Sequence, residues 1–494
     1  MMAREPARLD KFEGVSRDKA LELARAGREK AQAAYFEELR IPSVSALPQH
    51  AGDCRRCAEF LRERIGQTGM ESRLVEGNGH PTVYAEWNGA EGSPTLLVYG
   101  HYDVQPPDPL DEWRSPPFEP TVREGRVHAR GAADSKANHM ALVAAIDAAM
   151  TAGGGRLPVN LKLTIEGEEE GGGAVLPAFL RQERERLRPD CVMLLDGSFS
   201  RTDVPTMATA TRGLVYAEVE IIGAARDLHS GGYGGIAPNP LNTAAWIIAG
   251  LKAPDGEVLI PGFYDRVRPP APEELAAWER VGITEEQMLT ETGAPRLEGE
   301  AGQPMLVRRW ARPTLDVHGI RGGFTAEGTK TVIPARAVMK VSMRLVPDQD
   351  PEDIFERFSK HVRSLATPGT RIDVRQLGPP AQPVLFGTDH PGARACASAF
   401  EKAWGVKTVF VRTGGTIPVG EDFARELGAP MIATGFNQPG SGAHSPNENQ
   451  VLQAFHRGAE MLIHLFHDYA EVATADRETS GPPGGVRASS PSLD

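Results

Sequence analysis

Two short strings of histidine and carboxylates could do chemistry. Gly100-His101-Tyr102-Asp103 follows the apolar run 95–99, and a string containing Glu169 and Glu170 follows the apolar run 159–165. Both strings lie where a predicted strand ends in a loop, the place where open α/β sheets build active sites. Histidine and carboxylates at strand ends are ligands for zinc or a similar divalent metal, and a carboxylate off the metal could act as general base. The first hypothesis is therefore a metal-dependent hydrolase.

Two further aspartates extend this set. Asp134 precedes a predicted helix that begins near Ala137, where aspartate is also a favourable N-cap. Asp196 ends the apolar run 191–195, and the glutamates lie in a glycine-flanked loop that a solvated charged surface would also explain. Carboxylates gathered after buried strands are costly without a cation. The pattern therefore favours a metal site.

The elements that must position these residues alternate between strand and helix. Apolar runs predict strands at 95–99, 159–165 and 191–195, and helical patterns occupy 17–40, 137–150 and 176–187. This order predicts an α/β fold, with a mostly parallel sheet and helices on both faces.

The pattern changes after residue 211. The segments 214–221 and 338–345 alternate apolar and polar residues, which is typical of strands with one solvent-exposed face. We therefore predict an inserted α+β lid or dimerisation domain. The predicted segments are the first part of the catalytic domain (1–211), the inserted domain (212–384), the second part of the catalytic domain (385–475) and a disordered tail (476–494).

Composition narrows the class of protein and its partners. The 494 residues, 40% of them hydrophobic, suffice for two or three compact domains. With a net charge of −12 and no basic block, we expect no nucleic-acid partner. No apolar run reaches the roughly 18 residues that span a bilayer, and the N-terminus lacks the apolar core of a secretory signal. We therefore expect no membrane partner and a cytoplasmic location.

The four cysteines are too few and too scattered for a disulfide framework. Cys54 and Cys57 form a C-x-x-C pattern, but no second pair is present to complete a zinc site. We interpret them as two small residues on one face of a helix.

Longer strings resemble the di-zinc peptidase family that includes the carnosine and cytosolic non-specific dipeptidases, carboxypeptidase G, aminoacylase and succinyl-diaminopimelate desuccinylase. The resemblance covers nearly the whole chain apart from its two ends, and its middle segments are most similar to the dipeptidase branch. The matching strings are 99–106, 113–118, 130–136, 166–170, 227–231, 261–265, 330–334, 344–347 and 442–445.

The resemblance implies two divalent metal ions per subunit. Asp134 would bridge them, with His101 and Asp196 completing one site, and Glu170 and His444 the other. We expect zinc, and the nitrogen and oxygen ligand set also admits manganese or cobalt.

The resemblance also implies catalytic roles. Asp103 would orient His101, and Glu169 would be the general base. Two metals about 3.5–4 Å apart polarise the scissile carbonyl and lower the pKa of a bridging water. Glu169 would take a proton from that water and pass it to the leaving amine. The unusual cis peptide of this family would fall at Asp134–Ser135.

Substrate contacts would come largely from the inserted domain. His229 would reach the active site of the partner in a homodimer and stabilise the oxyanion; a histidine packed in a glycine-rich loop is the alternative. By resemblance, Arg344 would clamp the terminal carboxylate of the substrate with the help of Thr331 and Thr416. Such a clamp would restrict the substrates to dipeptides or N-acyl amino acids.

Three functions stay open. The leading one is hydrolysis of dipeptides or small peptides with a free C-terminal carboxylate, and the alternative is an amidohydrolase or deacylase acting on N-acyl or N-carbamoyl amino acids. A non-catalytic binding protein on the same fold is a remote third, which would have lost a ligand or the base. Ala133, Ala137 and Thr413 depart from residues common in relatives, which affects the predicted substrate pocket and leaves the ligands intact.

Overall fold

A computed structural model describes residues 16–415 and 418–480. Within them the chain forms two compact units. The first comprises 16–207, 387–409 and 422–480, and the second comprises 208–386, 410–415 and 418–421. The predicted limits of the inserted domain, 212–384, stay a prediction.

The described residues form seventeen strands: β1 (Glu71–Val75), β2 (Thr82–Trp87), β3 (Thr95–His101), β4 (Thr121–Arg123), β5 (Arg126–His128), β6 (Asn160–Glu166), β7 (Cys191–Leu195), β8 (Thr206–Ala210), β9 (Gly213–Ile222), β10 (Leu228–His229), β11 (Thr314–Gly322), β12 (Val332–Ile333), β13 (Arg336–Leu345), β14 (Arg371–Gln376), β15 (Val409–Arg412), β16 (Met431–Thr434) and β17 (Asn449–Val451).

The α-helices of the described residues are α1 (Arg17–Ala26), α2 (Arg28–Leu39), α3 (Ala51–Gln67), α4 (Ala137–Ala152), α5 (Val175–Gln182), α6 (Arg184–Leu187), α7 (Ser230–Tyr233), α8 (Pro240–Leu251), α9 (Pro272–Val281), α10 (Glu285–Thr292), α11 (Met305–Trp310), α12 (Pro351–Ser364), α13 (Pro391–Trp404), α14 (Pro418–Leu427) and α15 (Leu452–Ser480). None of them is long and apolar enough to cross a bilayer.

The largest sheet has eight strands in the order β1-β2-β6-β3-β7-β16-β8-β15. β6, β3, β7 and β16 are parallel neighbours, and β2 joins β6 antiparallel at one side. All five residues of β7 are buried, because near-continuous apolar runs suit strands that are covered on both faces. The predicted α/β class with a mostly parallel sheet is confirmed.

Helix α4 lies in the core of the first unit. Most of its residues are apolar and buried, and it packs against α1 and α15. The helix predicted over 137–150 is thus confirmed with a two-residue extension at its C-terminal end.

The second unit contains a four-stranded antiparallel sheet in the order β11-β13-β9-β14. Alternate residues of β9 and β13 point into a core that α8 and α12 complete, including Val219, Met343 and Phe358. The alternation predicted at 214–221 and 338–345 therefore marks true half-buried strands.

Two sequence predictions need correction. A single helix over 17–40 is wrong, because Gly27 separates α1 from α2 and its amide bonds back to the Leu23 carbonyl. The predicted tail from 476 is helical as far as Ser480; the rest of that tail, 481–494, lies outside the described residues.

Candidate metal centre

One edge of the large sheet gathers the polar strings. β3, β6 and β7 are parallel neighbours, so their C-terminal ends meet at the same edge. The side chains come from five places along the chain: His101 at the end of β3, Asp134 before α4, Glu169 and Glu170 after β6, Asp196 after β7, and His444 between β16 and β17.

The first candidate ligand group is His101, Asp134 and Asp196, whose ligand atoms all lie within 4.8 Å of one another. The Nε2 atom of His101 is 3.2 Å from Oδ1 of Asp134 and 3.2 Å from Oδ1 of Asp196. Atoms that bind one zinc ion at about 2.0–2.2 Å have mutual distances of roughly this size. The donor set therefore fits a divalent metal.

The second candidate group shares Asp134 with the first and adds Glu170 and His444. The Nε2 atom of His444 is 2.9 Å from Oδ2 of Asp134 and 3.3 Å from Oε2 of Glu170. The other carboxylate oxygen of Glu170, Oε1, is buried without a hydrogen-bond partner among the described residues. A second cation fits this group, because it would satisfy that oxygen.

The histidines and carboxylates of the two groups shift one another's pKa values. Burial lowers the pKa of His101, but Asp196 and then the neighbouring aspartates raise it well above its ordinary value. Hydrogen bonds to Asp134 and Glu170 raise the pKa of His444 to about 10. Burial raises the pKa of Asp134, yet the two histidines hold it below its ordinary value. The carboxylates thus favour positive charge at two points.

Glu169 belongs to neither group of ligands. Burial raises the pKa of its carboxyl to about 9, His101 opposes this shift, and Asp196 and Glu170 add to it. A divalent cation bound beside Glu169 would lower this pKa and leave the carboxyl ionised, the state in which it can take and later return a proton.

Asp103 is completely buried and holds several parts of the centre together. Its Oδ1 lies 3.4 Å from Nδ1 of His101. Its carboxylate accepts hydrogen bonds from the backbone amides of Glu169 and Glu170 at 3.2 and 3.1 Å, and from the Ser45 hydroxyl at 2.6 Å. Asp103 therefore positions the loop after β6 as well as the histidine.

Sequence reasoning missed Glu448, a fully buried carboxylate. It accepts hydrogen bonds from the Arg130 guanidinium at 2.7 Å and from the backbone amides of Gly131, Ala133 and Asp134 at 2.8–2.9 Å. It thereby holds the loop that presents the shared aspartate. Its place in a polar string after His444 resembles an ordinary surface charge, so no local signal marks it.

Sequence reasoning also missed Gln105, whose side-chain amide donates a hydrogen bond to Oε2 of Glu170 at 2.8 Å.

The Asp134–Ser135 peptide bond is cis, as the family resemblance predicted.

The second unit holds the other predicted residues. His229 ends β10, and Thr331 immediately precedes β12, the strand that pairs with β10; both residues are exposed. Nδ1 of His229 accepts a hydrogen bond from the Gly231 amide at 2.8 Å. Arg344 is partly buried on β13, in a different sheet. Thr416 lies outside the described residues.

A parallel-sheet unit with two histidine–carboxylate groups at one edge, together with an α+β unit, defines a metallopeptidase class. Residues 97–468 match the peptidase family M20/M25/M40. The chain belongs to this family, which confirms the family predicted from the sequence.

Proteins similar to this chain include dipeptidases. The chain is 30% identical to the Cys-Gly metallodipeptidase dug1 of Schizosaccharomyces pombe, over 93% of its own length and 99% of that protein. Its fold is similar to that of human carnosine dipeptidase 1, with a TM-score of 0.80, 26% identity and coverage of 92% of this chain and 99% of that one. It is also similar to an M20 family metallo-carboxypeptidase from Sulfolobus solfataricus, with a TM-score of 0.80, 32% identity and coverage of 89% and 99%.

Proposed function

We propose that this protein is a metal-dependent dipeptidase, which hydrolyses the peptide bond of dipeptides or small peptides that have a free C-terminal carboxylate. The observation that carries the proposal is the sharing of Asp134 between two ligand groups, with Glu169 outside both. The named activities of the relatives, a Cys-Gly metallodipeptidase and a carnosine dipeptidase, support the substrate class.

In this proposal two divalent metals would be held, zinc in the first place and manganese or cobalt as alternatives. His101 and Asp196 would serve one of them, Glu170 and His444 the other, and Asp134 would serve both. When bound, the metals supply Lewis acidity toward the scissile carbonyl and lower the pKa of the attacking water.

Glu169 moves the proton. Its carboxylate accepts a proton from the attacking water as the water oxygen bonds to the carbonyl carbon, and it then protonates the amine nitrogen as the C–N bond breaks. Its burial supports this role, because a raised proton affinity lets the group hold the proton between the two steps. Asp103 keeps the loop of Glu169 and the ring of His101 in position.

Contacts to the substrate come from the second unit in this proposal. His229 donates a hydrogen bond to the developing oxyanion. Arg344 binds the C-terminal carboxylate with its planar guanidinium, assisted by Thr331 and Thr416. The exposure of His229 supports a role toward another molecule or subunit.

The assembly is a homodimer through the second unit, and the compartment is the cytoplasm. Two features support the dimer. The first is that β11 is the last strand at one side of its sheet, which leaves that edge open for pairing. The second is the exposure of two large apolar side chains, Trp246 on α8 at 64% and Ile320 on β11 at 50%. Such side chains favour burial against a partner. A Trp246→Asp variant should shift the mass in solution from dimer to monomer.

A panel of substrates tests the activity. We expect turnover of free-acid dipeptides by protein reconstituted with zinc, manganese or cobalt, and loss of turnover when the C-terminus is amidated. Hydrolysis of N-acetyl or N-carbamoyl amino acids alone would instead make the protein a deacylase. Failure to bind metal or to cleave any member of the panel would point to a non-catalytic protein.

A further inference from the structure

The second unit contains a cavity of about 650 Å³ with an unusual number of cations in its wall. A cavity of this size holds a side chain or a small ligand. The cations are Arg212, Lys252, Arg308, Arg309 and Arg312.

Two of these arginines retain unused hydrogen-bonding capacity. Arg212 is only 7% exposed, and its Nη2 donates to the backbone carbonyls of Arg308 and Arg312 at 2.9 and 2.7 Å. Those bonds anchor the side chain and leave its charge uncompensated. The Nε atoms of Arg212 and Arg308 are both buried without a partner among the described residues. Buried guanidinium donors of this kind favour an anionic ligand.

The carboxylates in the cavity wall do not neutralise these two arginines. The nearest acid to Arg308 in an ion pair is Glu285, at 3.9 Å, and Glu291 is exposed to solvent. Burial and the nearby Arg344 lower the pKa of Arg212 to about 10, and Asp316 opposes this only in part. The other acids of the wall pair with other cations, as Glu300–Arg312, Glu298–Arg296 and Asp316–Lys252.

The cavity lies beside the residues assigned to the carboxylate end of the substrate. Arg344 on β13 is the cross-strand partner of Thr314, and Thr314 is part of the cavity wall. Gly414, also in the wall, is two residues before Thr416. A substrate whose terminal carboxylate binds Arg344 therefore has its C-terminal side chain next to the cavity.

We propose that this cavity is a specificity pocket for the C-terminal residue of the substrate, in which Arg212 and Arg308 select a carboxylate side chain. The preferred substrates are then dipeptides that end in aspartate or glutamate. This inference rests on the proposed dipeptidase function and on the role of Arg344 in it.

Paired substrates test the pocket, because glutamate and glutamine differ in charge and hardly in shape. For the metal-loaded enzyme, kcat/KM should be about 10- to 100-fold higher for Ala-Glu than for Ala-Gln, as expected for hydrogen bonds to a charged group. The ratio should fall toward one in Arg308→Gln and be partly retained in Arg308→Lys. Arg371→Gln, which alters an exposed arginine on β14, is the control and should keep the ratio.

A ratio near one in the wild type, or a ratio that Arg308→Gln and Arg212→Gln both leave unchanged, would overturn the proposal. Calorimetry with free glutamate and free glutamine gives a second readout that does not depend on turnover. Tighter binding of glutamate than of glutamine to the wild type, lost in Arg308→Gln, supports the pocket. If that binding is seen but no dipeptide is cleaved, only the proposed activity fails. Equal affinities for the two amino acids count against the pocket.

Discussion

The regions that hold the predicted site residues are built in opposite ways. In the candidate metal centre, buried carboxylates hold the loops by hydrogen bonds. Asp103 accepts hydrogen bonds from the backbone amides of Glu169 and Glu170, and Glu448 accepts one from the amide of Asp134. On the β10–β12 ribbon of the second unit, His229 is exposed, and its ring bonds only locally to Gly231 among the contacts described.

The difference follows from what each region has to bind. Metal ligands must be held within about 0.5 Å of the productive geometry, which buried hydrogen bonds achieve. Residues that meet a substrate or a partner subunit must be accessible, and their final geometry is completed on binding. Mutations in the first region should therefore change metal binding or proton transfer within their own subunit. In the proposed homodimer, mutations on the ribbon should change the activity of the other subunit's site.

The largest effect is expected for Glu169→Gln. The amide cannot accept the proton of the attacking water, so kcat should fall by about 10²–10⁴-fold, while metal analysis still finds two ions per subunit. Glu168→Gln alters a neighbouring acid of the same loop and should remain close to the wild type. Wild-type turnover in the Glu169→Gln variant would show that Glu169 is not the general base.

His229→Ala should lower kcat by about 10²–10³-fold, the usual effect of losing one oxyanion donor. If the histidine acts across the interface, co-expression with Glu169→Gln restores one working site in each mixed dimer. Random pairing of equal amounts then gives roughly a quarter of the wild-type activity.

Activity of the whole co-expressed mixture checks this expectation, with the two separately purified variants as the control. No recovery in mixed dimers would place His229 in the active site of its own subunit.

Glu448→Gln should weaken metal binding by about 10- to 100-fold, because the carboxylate holds the loop of the shared aspartate from outside the ligand set. Competition with a chelator measures the affinity. Glu401→Gln, an exposed acid on α13, should leave it unchanged. Wild-type metal affinity in Glu448→Gln would show that the loop keeps its shape without this acid.

The smallest effect concerns the pH dependence of the metal-free protein. Burial raises the pKa of Glu169 to about 9, and hydrogen bonds to Asp134 and Glu170 raise that of His444 to about 10. Both groups hold protons more tightly when folded, so their stabilisation is complete at low pH and is lost as the pH rises from about 4.5 to 10.

The Tm of chelator-treated protein should therefore fall across this range. A metal bound by His444 would replace the proton of that ring, and its positive charge would lower the pKa of Glu169, so the metal-loaded protein should show a smaller fall. Equal slopes with and without metal would contradict the assignment of His444 to the centre.

Four of the five ligand candidates could be predicted from local patterns, whereas His444 was predicted only from the family resemblance. His101 and Asp196 end apolar strands, and Asp134 precedes a helix. The break between α1 and α2 was missed, since a single glycine is tolerated in many helices. Glu448 was missed for a different reason: it acts on a loop 314 residues earlier in the chain.

By itself, the sequence determined the class of protein. Periodicity sets which segments become buried parallel strands, and the motifs identify the metallopeptidase family, because both depend on residues close together in the chain. Only the tertiary structure decided that the two carboxylate oxygens of Asp134 face different histidines, and that Arg212 and Arg308 meet at one cavity. Such distances depend on the packing of elements far apart in sequence, which no local pattern records.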